Sequence, residues 1–127
     1  MPIETVRISK AGKDQLATLK RRTKIPTWNI ICRWAFCVSL AERTPPHAHR
    51  LDSEYPIEMT WKTFAGEYGG VYLALLKERC VHDGLELSDD ELQRQLRLHV
   101  HRGISYLAGD KGLQSIEELI ARAVRVG

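Results

Sequence analysis

Between Trp28 and Ala41 the chain leaves almost no side of a helix polar. Trp28, Ile30, Ile31, Trp34, Ala35, Phe36, Val38 and Leu40 surround it on nearly every face. A helix of that pattern cannot lie on a surface; it belongs in the centre of a core or in a subunit interface. Pro26 breaks whatever precedes it, and Thr27 is placed to cap the new start. The rest of the chain must therefore supply elements that wrap this helix.

The flanking sequence offers mostly helices for that purpose. Val6 and Ile8 alternate with Thr5, Arg7 and Ser9, the period of a short strand with Arg7 on its polar face. Ser9 is positioned to cap a helix running to about Thr23, with Leu16 and Leu19 as a thin apolar stripe. Residues 44–56, with Pro45-Pro46 and Tyr55-Pro56, read as a connecting segment, and Ile57, Met59 and Trp61 as a brief extended piece. From Phe64 the spacing of Tyr68, Val71, Tyr72, Leu75, Leu76 and Cys80 predicts one helix ending near Gly84. The cluster Gly66-Glu67-Tyr68-Gly69-Gly70 reads as a turn that lets helices pack closely. Ser88-Asp89-Asp90-Glu91 and Ser115-Ile116-Glu117-Glu118 are capping boxes that start two further helices, the first carrying Leu92, Leu96, Val100 and Ile104 inward and closing at Gly109. The expectation is one mainly α domain over residues 1–127. It comprises a basic β-α-α unit (5–42), a connecting segment (44–56) and a helical remainder (57–127). The β-α-α start resembles a ribbon-helix-helix unit, in which two strands pair across a dimer and enter the DNA major groove.

Charge is distributed unevenly along this plan. The net charge of +3 splits into ten basic against three acidic residues in 1–50, a local +7, and nine against thirteen in 51–127, a local −4. Such asymmetry points to an electropositive face for polyanions. The residues expected to contact DNA phosphates are Lys13, Lys20, Arg21, Arg22 and Lys24, with Arg7 and Lys10 at the margin. The longest apolar stretch is interrupted by Asn29, Arg33 and Ser39, so no membrane span is expected. Three cysteines and a start lacking the basic and apolar regions of a signal peptide point to a reducing, cytoplasmic setting.

Catalytic chemistry is hard to find. His47 and His49 stand in a proline-flanked loop, and His99 and His101 are two apart on a helix, where side chains diverge too far to chelate one ion. Cys32, Cys37 and Cys80 read as small core residues, and there is no phosphate-binding glycine loop or nucleophile elbow. No catalytic residue, metal site or cofactor is expected.

The runs RISKAGKDQLATLKRRT, WNIICRWAFCVSLAE, MTWKTFAGEYGGVYLALLKERC and LHVHRGISYLAG resemble DndE, the small subunit of the bacterial DNA phosphorothioate modification system. CRWAFC and GEYGGVYLALLKERC are the most distinctive segments. That pathway replaces a non-bridging phosphate oxygen with sulfur, using a cysteine desulfurase, an iron–sulfur enzyme and an SMC-type ATPase. The resemblance implies a mainly helical homotetramer without a catalytic site, which binds DNA, including nicked duplex, and assembles with the other phosphorothioation proteins. The expected function is that of a non-catalytic DNA-binding and assembly subunit. The alternatives are a ribbon-helix-helix-like regulator whose Arg7 reads an operator, and an assembly subunit whose basic helix docks on an acidic protein. An oligomer contact is expected on the second helix, around Trp28, Ile31 or Phe36.

Overall fold

A computed structural model describes residues 2–47 and 54–125, and of Arg125 the backbone alone. His49 and Arg50 lie outside the described residues. The elements are β1 (Thr5–Ile8), α1 (Lys10–Thr23), α2 (Trp28–Ala41), β2 (Ile57–Thr60), α3 (Trp61–Ala65), a single 3-10 turn (Gly66–Tyr68), α4 (Gly69–His82), α5 (Asp89–Gly109) and α6 (Ile116–Arg125). The fold is mainly α, and the β-α-α start is present.

α2 forms the hub, packed along α5 more extensively than any other pair of elements. Ile31, Cys32, Ala35 and Phe36 are buried, while Trp28, Ile30, Trp34, Val38 and Leu40 pack against the core from a half-buried position. Ile31 and Phe36 are thus spent inside the subunit and are not surface residues for a contact between copies. Phe36 sits in an aromatic cluster with Phe64 (edge-on, 6.0 Å between centroids) and Tyr72 (6.0 Å). Cys37, unlike Cys32 and Cys80, is exposed, which corrects its reading as a core residue. Burial pushes the Cys32 thiol up to about 12, so it stays protonated and behaves as a small apolar group.

Crossing of α2 and α5 is possible only because residue 103 is glycine. A Cβ there would stand 1.7 Å from the carbonyl oxygen of Ala35. Gly103 and Ala35 are both small, so the two backbones meet without intervening side chains.

β1 pairs with β2 of the same chain, antiparallel, with Val6 opposite Met59 and Arg7 opposite Glu58. The strand that a ribbon-helix-helix protein shares with its dimer partner is here engaged within the chain. Sequence periodicity predicts one helix from Phe64 to Gly84; the structure instead breaks it into α3, the turn and α4. Gly66 adopts φ 61°, which ends α3, and its missing side chain leaves room for Arg33, whose guanidinium would lie 2.8 Å from a Cβ. Arg33 donates to the carbonyls of Phe64 and, at 3.1 Å, Thr63, closing the end of α3. The sequence contains the glycine but not its long-range partner.

The serine half of each capping box forms as expected. Ser88 Oγ accepts the Glu91 N–H at 3.2 Å, and Ser115 Oγ the Glu118 N–H at 3.2 Å. Ser9 Oγ likewise accepts from Gly12 N at 3.1 Å, whereas Thr27 starts α2 without a side-chain capping bond.

α2 has no basic residue in its last turn, and neighbouring helices supply one. Arg102 of α5 donates to Ser39 O (2.7 Å), Thr44 O (2.7 Å) and Ser39 Oγ (2.8 Å), and Arg79 of α4 donates to Leu40 O. With its oxygen accepting from Arg102, Ser39 turns its hydroxyl proton to His99 Nδ1, 2.8 Å away. His101 points elsewhere: its Nε2 accepts from Ser9 N (3.1 Å) and its Nδ1–H donates to Arg97 O (2.7 Å).

Two measurable consequences follow. Gly103→Ala, which improves helix propensity, should nevertheless destabilise the protein by about 3 kcal/mol or more in urea unfolding, because the two backbones must separate. His99 is the second case. Burial, together with Arg102 and Arg79, pulls its pKa from 6.5 down to about 4, with Asp83 opposing. The folded state therefore resists a proton that the unfolded chain accepts. Stability should be full above pH 6.5 and decline as pH falls toward 4. Replacing His99 with Gln should flatten that part of the stability-against-pH curve.

Candidate nucleic-acid interface

α1 buries Gly12, Leu16, Leu19 and Thr23. At 3.6 residues per turn, Lys10, Lys13, Ala17, Lys20, Arg21 and Lys24 fall within an arc of about 100° centred about 120° round the helix from that buried stripe. All six are exposed. No ion pair among the described residues involves the five cations of this arc, and Asp14 stands at its flank. Fourteen residues span about 21 Å, and the small Ala17 at mid-length leaves the surface between the cations low.

Lys20 and Lys24 occupy the end of this face beside α2. The Lys20 ammonium lies 4.8 Å from the centroid of the Trp28 ring, an attraction worth about 0.5–1 kcal/mol at an exposed site. Lys24 closes α1 in the left-handed conformation, φ 60° and ψ 17°, with its N–H donating to Lys20 O at 2.9 Å. Glycine is the usual residue at such a position. A lysine there incurs strain and places a charge where the helix ends.

Two of the seven expected contacts are engaged differently. Arg22 is turned off the lysine face and half-buried, its guanidinium donating to Ala108 O at 3.0 Å, at the end of α5. Arg7 lies on β1 facing Glu58 across the sheet at 3.4 Å, with both side chains about half exposed. Lys10, Lys13, Lys20, Arg21 and Lys24 are brought together; Arg7 and Arg22 are not part of that set.

Four further arginines are committed within the fold. Arg33 serves α3, Arg79 and Arg102 serve α2, and Arg122 binds Asp110 (2.8 Å) and Glu118 (2.9 Å). Arg122 and the Gly112 N–H hold the Asp110 carboxyl below the usual carboxylate range. Charge counting could not separate these arginines from the lysines. A usable signal was the absence of any basic residue in the last turn of α2 or of a glycine after it, which favours a distant donor to close it. Among the described residues, no three His, Cys, Asp or Glu side chains converge as a metal-ligand set, and no helix is long and apolar enough to cross a membrane.

This division of labour predicts opposite effects on stability. Arg22→Ala should lower the unfolding free energy by about 1 kcal/mol through the uncapped α5 carbonyl. Lys24→Gly should raise it by about 1 kcal/mol by relieving the left-handed strain. Urea unfolding of the two variants measures both.

Residues 5–115 match the family model described as DNA sulphur modification protein DndE. Among solved structures, DndE from Escherichia coli B7A, involved in DNA phosphorothioation modification, aligns with a TM-score of 0.68 at 27% identity, covering 82% of this chain and 95% of that one. A glycine-to-lysine variant of DndE involved in DNA phosphorothioation aligns with a TM-score of 0.62 at 25% identity, covering 82% and 97%. Comparison with curated proteins gives no match. The chain, with its lysine-faced α1 and its α2 hub, belongs to the DndE family of DNA phosphorothioation proteins.

Proposed function

We propose that this protein is a non-catalytic DNA-binding and assembly subunit of the phosphorothioation machinery. It lays the lysine face of α1 along the phosphates of duplex DNA, nicked duplex included. The observation that carries this reading is the arc of five exposed cations on α1, none of them ion-paired among the described residues, turned away from its buried side. A face of about 21 Å runs beside roughly six base-pair steps of a duplex at 3.4 Å of axial rise each, long enough for several phosphate contacts. Contacts of this kind position DNA without reading its sequence. That suits a subunit presenting the backbone to catalytic partners, the other phosphorothioation proteins, in the cytoplasm.

Assembly as a homo-oligomer, a tetramer by family resemblance, belongs to the same reading. Its support is an apolar stripe in which Tyr68, of the turn before α4, and Val71 and Leu75 of α4 are 64%, 56% and 39% exposed. The regulator reading is disfavoured by the pairing of β1 with β2 and of Arg7 with Glu58, which engage the strand such a protein would insert into the groove.

The test is binding to a labelled random-sequence duplex over a range of salt. Lys20→Glu combined with Lys24→Glu should weaken binding and make the slope of log K against log salt shallower by about two. The circular dichroism spectrum should stay native. Unchanged affinity in a folded double variant contradicts the proposal, and selectivity of orders of magnitude for one operator would favour the regulator.

A further inference from the structure

Not every polar group around the end of α2 is accounted for. Among the described residues, four buried side-chain atoms have no hydrogen-bond partner, and three of them, His99 Nε2, Arg79 Nη1 and Asp83 Oδ2, belong to residues gathered at that end. The fourth, Arg97 Nε, belongs to an arginine that reaches Tyr55 instead. Arg79 comes from α4 to Leu40 O, and Arg102 comes from α5 to Ser39 O at 2.7 Å, so the two helices converge on adjacent residues of α2. His99 lies one turn before Arg102 and meets Ser39 Oγ at 2.8 Å. Asp83 lies one turn after Arg79, and its N–H donates to Arg79 O at 2.9 Å. Arg79 and Asp83 are both near enough to His99 to alter the cost of charging it. His99 is 0% exposed and the Asp83 side chain 3% exposed, so bulk solvent does not serve them.

The roles of the three atoms are set by their other bonds. Nδ1 of His99 accepts from Ser39, so the neutral ring carries its proton on Nε2 and Nε2 is a donor. Arg79 Nη1 is a donor as well, its Nη2 being taken by Leu40 O. Asp83 Oδ2 is an acceptor, while Oδ1 lies 3.1 Å from His82 Nδ1. Two donors and an acceptor buried without partners are costly to leave as they are. We propose that this corner is a binding site for one structural water molecule, which bridges His99 of α5 to Arg79 and Asp83 of α4. Water is the class of ligand that fits. An anion would be repelled by Asp83, and a cation by Arg79 and Arg102. An apolar group would leave all three atoms unbonded. Water accepts from Nε2–H and Nη1–H and donates to Oδ2, and about three bonds is the usual number for a buried water. Through it the end of α4 is tied to the same point of α5 that holds Ser39, whether or not the protein binds DNA.

The test is a high-resolution crystal structure of the wild-type protein, joined to NMR of the histidine side chains in solution. The crystal should show one ordered water within about 3.2 Å of His99 Nε2, Arg79 Nη1 and Asp83 Oδ2. In solution the His99 proton should reside on Nε2 and show a cross-relaxation signal to a long-lived water. A crystal in which His99 Nε2 bonds directly to a protein atom or an ion, or in which no water bridges it to α4, overturns the proposal. Should crystals not form, the NMR decides: a proton on Nδ1, or an Nε2–H without a water signal, overturns it.

Discussion

The backbones of α2 and α5 meet at Ala35 and Gly103, and most other placements in the molecule follow from that contact. Because the helices cross there without intervening side chains, Ser39 comes within 2.8 Å of both His99 and the Arg102 guanidinium. The same crossing sets the height of α5 above the core, and α1 is then laid along α5. Ser9, Gln15 and Arg22 of the α1 segment bond in order to His101, Ser105 and Ala108. A helix held at three points along its length cannot roll. The orientation of its lysine face is therefore fixed by contacts made on its back.

The basic side chains divide by chemistry. Guanidinium groups are planar forks that match carbonyl and carboxylate pairs, and weak hydration lets them be partly buried at modest cost. Arg22, Arg33, Arg79 and Arg102 accordingly close helix ends belonging to other elements. The ammonium groups of α1 are strongly hydrated and remain at the surface, where a polyanion can exchange counterions for them. The net charge of +3 therefore understates the field of one face, since much of the positive charge is committed to internal bonds.

Much of this was legible in the residues. Periodicity and capping chemistry are local, so the bounds of α1, α2, α5 and α6 follow from Ser9, Pro26, Ser88 and Ser115. Long-range effects were not legible. The break at Gly66 depends on Arg33, thirty-three positions away, and a period count over Phe64–Cys80 contains no trace of it. Arg22 has the same one-letter environment as Arg21, yet the two differ by about 100° around the helix, and one meets Ala108 while the other meets solvent. Eight apolar residues on α2 suggested an interface through Ile31 or Phe36. Enough elements surround the helix to bury both, and most of the exposed large apolar residues lie on α4 and α6 instead.

The claim that α1 offers its lysines, with Arg21, to DNA while Arg22, Arg33, Arg79 and Arg102 hold the fold is tested most directly by lysine-selective acylation read by mass spectrometry, with and without duplex. The chain contains Lys62, Lys77 and Lys111 as exposed internal controls on other elements. The account predicts that Lys10, Lys13, Lys20 and Lys24 are protected by DNA while those three react as before. Equal reactivity of the α1 lysines in both states, or protection centred on Lys62, Lys77 or Lys111, would contradict it.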